Sequence, residues 1–383
     1  MAKNPSNPLV ELLQETHVFA LVNRQRIIIG TKPKKILTTW DDVKKNFQDG
    51  WLLGYISYEQ GHNFIEPPLN SPLQSKKTND LQLPDVYFGL FDEVTIIENS
   101  PELFKAMSNL SIGKIKSNIT KSEYHDKFQQ IIKHLKTGDI YQVNLSQRFE
   151  ANYTGNPLDI FSHFYASQPT DYAAYIQTPD FSIVSNSPEL FLKISGKEVE
   201  SRPMKGTALR SNDAETDNTN KQALTIGEKD KAELDMIIDI HRNDLYRTAK
   251  TGSVNVLKRR RITPYATVWQ ADAIVTSHIA DKYNTLDVIE QSFPAGSITG
   301  APKIRAMEII HELETVRRNI YTGSIGFIDP TGNAELNVAI RTAIIKDDTL
   351  YYSSGGGIVL DSTEESEYQE TLDKAKIIYN LAS

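Results

Sequence analysis

The order of the strand-like runs constrains the fold of this chain most. Tyr321 to Ile328, Asn333 to Lys346 and Tyr351 to Leu360 follow one another, with short turns at Asp329 to Gly332 and at Asp347-Asp348. Runs joined so tightly read as three consecutive antiparallel strands, because parallel pairing needs a much longer crossover. Ile140 to Tyr153, Phe181 to Ser185 and Glu198 to Arg202 read as further strands. Helices interrupt these runs rather than alternate with them. Ser122 to Leu135 spaces Tyr124, Phe128, Ile131, Ile132 and Leu135 on one stripe, and Gly138 stops it. Lys229 to Ala249 carries Ala232, Met236, Ile240 and Leu245. Ala301 to Leu313 has a proline in its first turn. The last helix begins at a capping box of Ser362 and Glu365 and runs to about Leu381. This pattern predicts an α+β fold with large antiparallel sheets, not a doubly wound one.

At 383 residues the chain forms one large domain or two. The softest segments, Pro67 to Pro84 and Ser211 to Gln222, are too short to be convincing linkers. No cysteine is present, which excludes disulfides, thiolate metal sites, iron–sulfur clusters and thiol nucleophiles. A formal net charge of −7 argues against nucleic acid as a partner. The basic run Lys258-Arg259-Arg260-Arg261 reads as a solvated or ion-paired strand. No stretch approaches the ~20 apolar residues of a membrane span. Met1 to Leu13 lacks a signal-peptide layout, so a cytoplasmic protein is expected. Neither the dinucleotide fingerprint nor the P-loop occurs, and His311-Glu312-Leu313-Glu314-Thr315 lacks the second histidine of a zincin.

Four features bear chemistry. Asp230 and Glu233 share one helix face; Glu367 and Glu370 share another, with Lys374 one turn on. Carboxylates without histidine or cysteine suit a hard cation such as Mg²⁺, although on spacing alone, with 49 acidic residues in the chain, solvated helix faces are the better reading. In Arg202-Pro203-Met204-Lys205-Gly206-Thr207 a lysine sits between a proline and a glycine that can together aim it, although taken alone an ordinary surface turn with a solvated lysine is the better reading. Gly355-Gly356-Gly357 allows close approach of main-chain N–H groups to an anion, or is a bulge. Phe293 to Lys303 is a glycine-rich loop entering a helix, an anion site or simply a cap.

The order and wording of these segments resemble the chorismate-binding enzyme family. The stretches are GDIYQVNLSQRF (138–149), SPELF (187–191), RPMKGT (202–207), DKAELDMIIDIHRNDL (230–245), SITGAPKIRAMEII (297–310), YTGSIGFID (321–329), NVAIRTAII (337–345) and GGGIVLDSTEESEYQETLDKA (355–375). GWLLGYISYE (50–59) resembles the family's N-terminal portion. The resemblance covers nearly the whole chain. It implies a single large domain over 1–383, with an N-terminal portion to about 110 and a catalytic core over about 120–380. It also implies two antiparallel sheets packed as a sandwich with helices outside.

Carried over residue by residue, the resemblance makes Glu233, Glu367 and Glu370, with Asp230 at the edge, the shell of a Mg²⁺ ion beside chorismate. Arg341, Tyr321 and Lys374 become partners of the substrate carboxylates. Gly355 and Gly357 offer N–H groups, Ser297 and Thr299 line the loop, and Glu189 becomes the general acid for the departing C4 hydroxyl. Gln142 stands where water-adding members carry a lysine base, and an amide cannot accept that proton. Isochorismate and salicylate formation are therefore not expected. Lys205 stands where anthranilate-forming members usually carry a small residue. It points to the aminating branch that makes 4-amino-4-deoxychorismate, with Lys205 as the attacking amine and anthranilate formation as the alternative. Gln270, beside Trp269, replaces a histidine of the anthranilate branch, and its role stays open. Without cysteine the chain cannot hydrolyse glutamine through a thiolate, so a separate glutamine amidotransferase subunit is expected to supply ammonia. An inactive scaffold would be expected to lose the acidic set, Arg341 or Lys205, and none is lost.

Overall fold

Val86–Phe91 is buried at all six positions, and Ser324–Ile328 at all five. A strand enclosed on both faces must lie between two layers, so these runs mark the middle of a layered fold. The structure, a computed structural model, describes residues 15–23, 25–65, 71–75, 77–99 and 110–382. The expectation for Met1 to Leu13 and parts of the 1–110 portion and of Pro67 to Pro84 lie outside the described residues.

Two antiparallel sheets form the fold. One has 11 described strands and runs from Gly300–Ala301 through Gln142–Thr154, Thr349–Ile358, Thr342–Lys346, Ser182–Ser187 and Tyr172–Gln177 to Val18–Val22 and beyond. The other has 10 and runs from Met204–Leu209 through Val268–His278, Glu198–Arg202, Leu190–Ser195, Ala334–Asn337 and Ser324–Ile328 to Trp51–Ile56 and Val86–Phe91. Phe19, Ile28, Ile176 and Ile183 of the first sheet meet Leu53, Tyr55, Phe91 and Ile325 of the second in one core. Helices cover the outer faces. Ile160, Phe161 and Phe164 of the Pro157–Ser167 helix, with Ala375 and Ile378 of the Glu364–Tyr379 helix, close the first sheet. Leu234 and Ile238 of the Glu228–Tyr246 helix and Ile309 of the Lys303–Leu313 helix pack into the cluster containing the second. This is the expected α+β sandwich with helices outside.

Three local readings need correction. The run Asn333 to Lys346 is not one strand. Ala334–Asn337 belongs to one sheet and Thr342–Lys346 to the other. The chain changes sheets at 338–341, where Arg341 takes a left-handed conformation with φ 51. The polar stretch Ser211 to Gln222 is largely helix, Ala214–Ile226, capped by the Asp213 side chain on the Thr216 N–H. The last helix is capped by Thr363 rather than Ser362, whose hydroxyl instead donates to Glu367 Oε1 at 2.6 Å. The first stripe holds: Lys121–Thr137 ends at Gly138 with φ 77. Arg259 pairs with Asp235 at 2.8 Å and Arg261 with Asp272 at 2.6 Å, so the basic run is an ion-paired strand. Among the described residues no helix is long and apolar enough to cross a membrane.

Candidate active site

The three glycines at the end of Thr349–Ile358 form a floor, and their missing side chains define the site. A Cβ on Gly357 would stand 2.7 Å from Gln142 Nε2 and 2.9 Å from Lys205 Nζ. One on Gly356 would stand 2.8 Å from Glu367 Oε2 and 3.5 Å from Glu370 Oε1. One on Gly355 would meet Asn144 Oδ1 at 2.9 Å. Glycine is required here because polar groups from three other elements, with the Leu145 carbonyl 2.6 Å from the Gly355 position, converge on the backbone. Gln142, Asn144 and Ser146 come from the neighbouring strand, where Gly357 pairs with Asn144 and Gly355 with Ser146.

Lys205 enters from Met204–Leu209 and ion-pairs with Glu233 of the Glu228–Tyr246 helix at 3.0 Å. Burial alone would lower the Lys205 pKa, but Glu233, with Glu370 and Glu367 behind it, leaves it above the usual lysine value. The lysine is therefore held as an ammonium, not as the free amine that attack requires. Gln142 is fully buried, and neither atom of its amide has a hydrogen-bond partner. Its hydrogen-bonding capacity is thus unfilled within the protein.

Glu189 is buried beneath the glycine-rich loop and accepts from Ser297 Oγ at 2.6 Å. Burial pushes its carboxyl up to about 7, against the opposing pull of Ser297, the Met204 N–H, Lys205 and Lys374. A carboxyl poised there can hold a proton near neutrality. Thr299 is fully buried; its hydroxyl turns back to the carbonyls of Ala295 and Gly296, so it shapes the loop. Lys374 bridges Glu370 Oε1 at 2.6 Å and the Gly355 carbonyl at 2.8 Å. Arg341 donates to Gln168 Oε1 at 2.7 Å, and among the described residues it has no carboxylate partner. Tyr321 is buried, with the Arg318 guanidinium 5.9 Å from its ring centroid.

The family profile described as chorismate binding enzyme matches residues 10–380, almost the full chain. The chain belongs to the chorismate-binding enzyme family. The aminodeoxychorismate synthase component 1 of Salmonella typhimurium is 37% identical over 353 residues, covering 87% of this chain and 76% of that one. The anthranilate synthase component 1 of Aquifex aeolicus is 34% identical, covering 90% and 76%. Among solved structures, anthranilate synthase component I from Streptococcus pneumoniae superposes with TM-score 0.80 at 25% identity over 93% of this chain and 92% of that one.

For a member of this family, the metal question turns on the carboxylates. Among the described residues, no three acidic or imidazole groups are gathered closely enough to hold an ion as they stand. Glu233 faces Lys205, Glu370 faces Lys374, and Glu367 Oε1 is bonded to Ser362. Asp230 packs at the Gly206 turn, its Cγ 3.1 Å from where a Cβ there would sit. The chemistry nevertheless fits Mg²⁺. The donors are all oxygen, two of the carboxylates crowd one face of Gly356, and the neighbouring cations are lysines that an ion can displace.

Three groups escaped the sequence reading. Arg318 and Glu314 form a buried fork, with contacts of 2.8 and 2.7 Å, and also hold the Asn144 carbonyl and the Ser146 N–H. Glu59 accepts the N–H groups of Arg318 and Asn319, and burial raises it to about 7. His241 is buried against Ser201 at 2.8 Å, with its pKa pushed down to about 3 by burial. Only the acidic residue four before Arg318 gave a signal in the sequence. Gln270 pairs in register with Thr207, and its buried Oε1 has no hydrogen-bond partner. Trp269 donates to Asp217 at 2.9 Å beneath the Arg210 guanidinium.

Proposed function

We propose that this chain is the synthase subunit that converts chorismate and ammonia into 4-amino-4-deoxychorismate and water, for para-aminobenzoate and folate synthesis. The observation that carries this reading is the meeting of Lys205 Nζ and the Gln142 amide on one face of Gly357. Where a water-adding enzyme needs a base there is a neutral amide, and beside it stands an amine. In the family core, proposed to span about 120–380, Arg341, Tyr321 and the Gly355 and Gly357 N–H groups bind the substrate carboxylates. Glu233, Glu367 and Glu370, with Asp230 nearby, would hold Mg²⁺. The ion supplies charge neutralisation at the ring carboxylate and the departing oxygen.

The chain's own residues then divide the work. Lys205 must lose its proton before attack, and Glu233, whose Oε2 lies 3.0 Å away, would take it on the carboxylate oxygen not given to the ion. The amine adds to ring C2, both ring double bonds shift one place toward C4, and the C4–O bond breaks. Glu189 gives its proton to the departing hydroxyl, which leaves as water. Ammonia adds at C4, both ring double bonds shift back, and the C2–N bond breaks, returning the electron pair to Lys205. The surplus proton on the new amine returns to Glu189. The enolpyruvyl group is untouched.

Ammonia would come from a separate glutamine amidotransferase. The name "component 1" of the Salmonella relative suits a two-component enzyme, and this chain has no cysteine to hydrolyse glutamine. The test is product identification by mass spectrometry after incubating the purified chain with chorismate, Mg²⁺ and ammonium. Aminodeoxychorismate without pyruvate is the expected result. Anthranilate with stoichiometric pyruvate would assign the chain to the other aminating branch.

A further inference from the structure

A second cavity lies beyond the Arg318–Glu314 fork, away from the glycine floor. It encloses 240 Å³ between the segment following Trp51–Ile56, the Lys303–Leu313 helix and the loop 314–318. That is far more space than one structural water needs. Three polar atoms on its lining residues are buried without a hydrogen-bond partner: Tyr58 Oη, His62 Nε2 and Arg317 Nε. A buried polar group without a partner is costly, so three at one cavity mark a capacity for a polar occupant.

The open valences share one character. All three atoms can donate: a phenol, an imidazole nitrogen in the appropriate tautomer, and a guanidinium N–H. Lys77 adds a charge, because its ammonium is held by the Glu314 main-chain carbonyl and by no described carboxylate within 4.0 Å. The acids of the lining are already engaged. Glu314 is taken by Arg318 at 2.7 Å and Asp85 by Arg317, while Glu59 accepts the Arg318 and Asn319 N–H groups at 2.8 and 3.0 Å. The remaining capacity of the cavity is therefore for an acceptor carrying negative charge. Leu73, Ile310 and Val316 complete the lining with apolar surface.

We propose that this cavity is a binding site for a small monocarboxylate with a compact apolar body, separate from the substrate floor. The carboxylate meets Lys77, Tyr58, His62 and Arg317, and the body lies against Leu73, Ile310 and Val316. The inference stands on this cavity alone and does not depend on which reaction the floor performs.

The probe is 4-fluorobenzoate, followed by fluorine NMR on the full chain carrying Arg341→Met, which removes a carboxylate partner at the floor. One saturable site is expected to remain. Adding Lys77→Met should weaken it at least tenfold, since it removes the charge-assisted hydrogen bond to the carboxylate. Val316→Trp, which fills the cavity without touching a charge, should abolish it. Inorganic phosphate should compete at least tenfold less well, having no apolar body. The proposal is overturned if no saturable site survives Arg341→Met, if folded Val316→Trp protein binds as before, or if phosphate competes equally. Should Lys77→Met fail to fold, Val316→Trp decides.

Discussion

Lys205 Nζ lies 3.0 Å from Glu233 Oε2, so the amine proposed to attack the ring and a carboxylate proposed to hold the metal neutralise each other. Lys374 does the same to Glu370 at 2.6 Å. Both carboxylates are thus blocked by cations from their own chain. Removing the Lys205 charge should expose Glu233. Lys205→Met is expected to bind Mg²⁺ roughly tenfold more tightly than the parent by calorimetry, since close charge pairs in partly buried sites are worth at least ~1.4 kcal/mol. Unchanged or weaker binding would show that Glu233 is not a ligand. Lys205→Arg keeps the ion pair and cannot attack, so it should retain the parent's Mg²⁺ affinity while losing amination.

Glu189 gives a pH dependence with a definite sign. Its carboxyl, raised to about 7 by burial, is protonated below that value and ionised above it. A general acid must carry the proton, so the chemical step should slow as pH rises through about 7. Glu189→Gln keeps an acceptor for Ser297 but has no proton to give. It should lower kcat by about 10²–10⁴-fold and remove that limb of the profile. A variant with near-parent kcat and the same pH limb would exclude Glu189 as the acid.

The glycine floor separates function from folding. Gly357→Ala brings a methyl group within 3 Å of Lys205 Nζ and Gln142 Nε2, the far ends of two side chains. Gly326→Ala would place one 1.9 Å from the Glu335 carbonyl, which is main chain within the sheet. The first should fold with a similar Tm and lose at least tenfold in kcat/KM. The second should lose stability by more than about 3 kcal/mol in a denaturant melt, because strands cannot part to admit it. Equal Tm losses in the two variants would mean that Gly357 serves packing rather than the site.

Much of this was legible in the sequence because periodicity and turn residues are local. The stripe over Lys121–Thr137 and its Gly138 stop needed no tertiary information. Asn333 to Lys346 misled because all of it is strand-like in composition. Only the left-handed φ of Arg341 and the partners of each half reveal the change of sheet. The convergence of Glu233, Glu367, Glu370 and Lys205 came from resemblance; their mutual neutralisation could not be read from spacing, since each pair except Glu370–Lys374 joins different elements. The capacity for a second ligand was equally hidden, because it lies in donors left unmatched by neighbours far apart in sequence.

Glutamine should fail where ammonium succeeds. With no cysteine among its 383 residues, the purified chain has no thiolate for glutamine hydrolysis. Product should appear with ammonium alone, and with glutamine only after a separate glutaminase subunit is added. Glutamine-dependent product from the rigorously purified chain would refute the two-component reading.

Arg341 offers a test that separates binding from folding. Its guanidinium is crowded enough that burial lowers its pKa, yet its hydrogen bond is to the neutral Gln168 amide, with no described carboxylate beside it. A cation in that position contributes little to the folded state until an anion arrives, because its desolvation is not repaid by a partner. Arg341→Gln should therefore leave Tm unchanged or slightly higher, which a purely structural role would not allow. The same variant should raise KM for chorismate by about a hundredfold, as expected when a buried charge-assisted contact worth about 2–3 kcal/mol is lost. A large fall in Tm with KM preserved would instead make Arg341 a clamp on the crossing between the two sheets, where its left-handed backbone already sits.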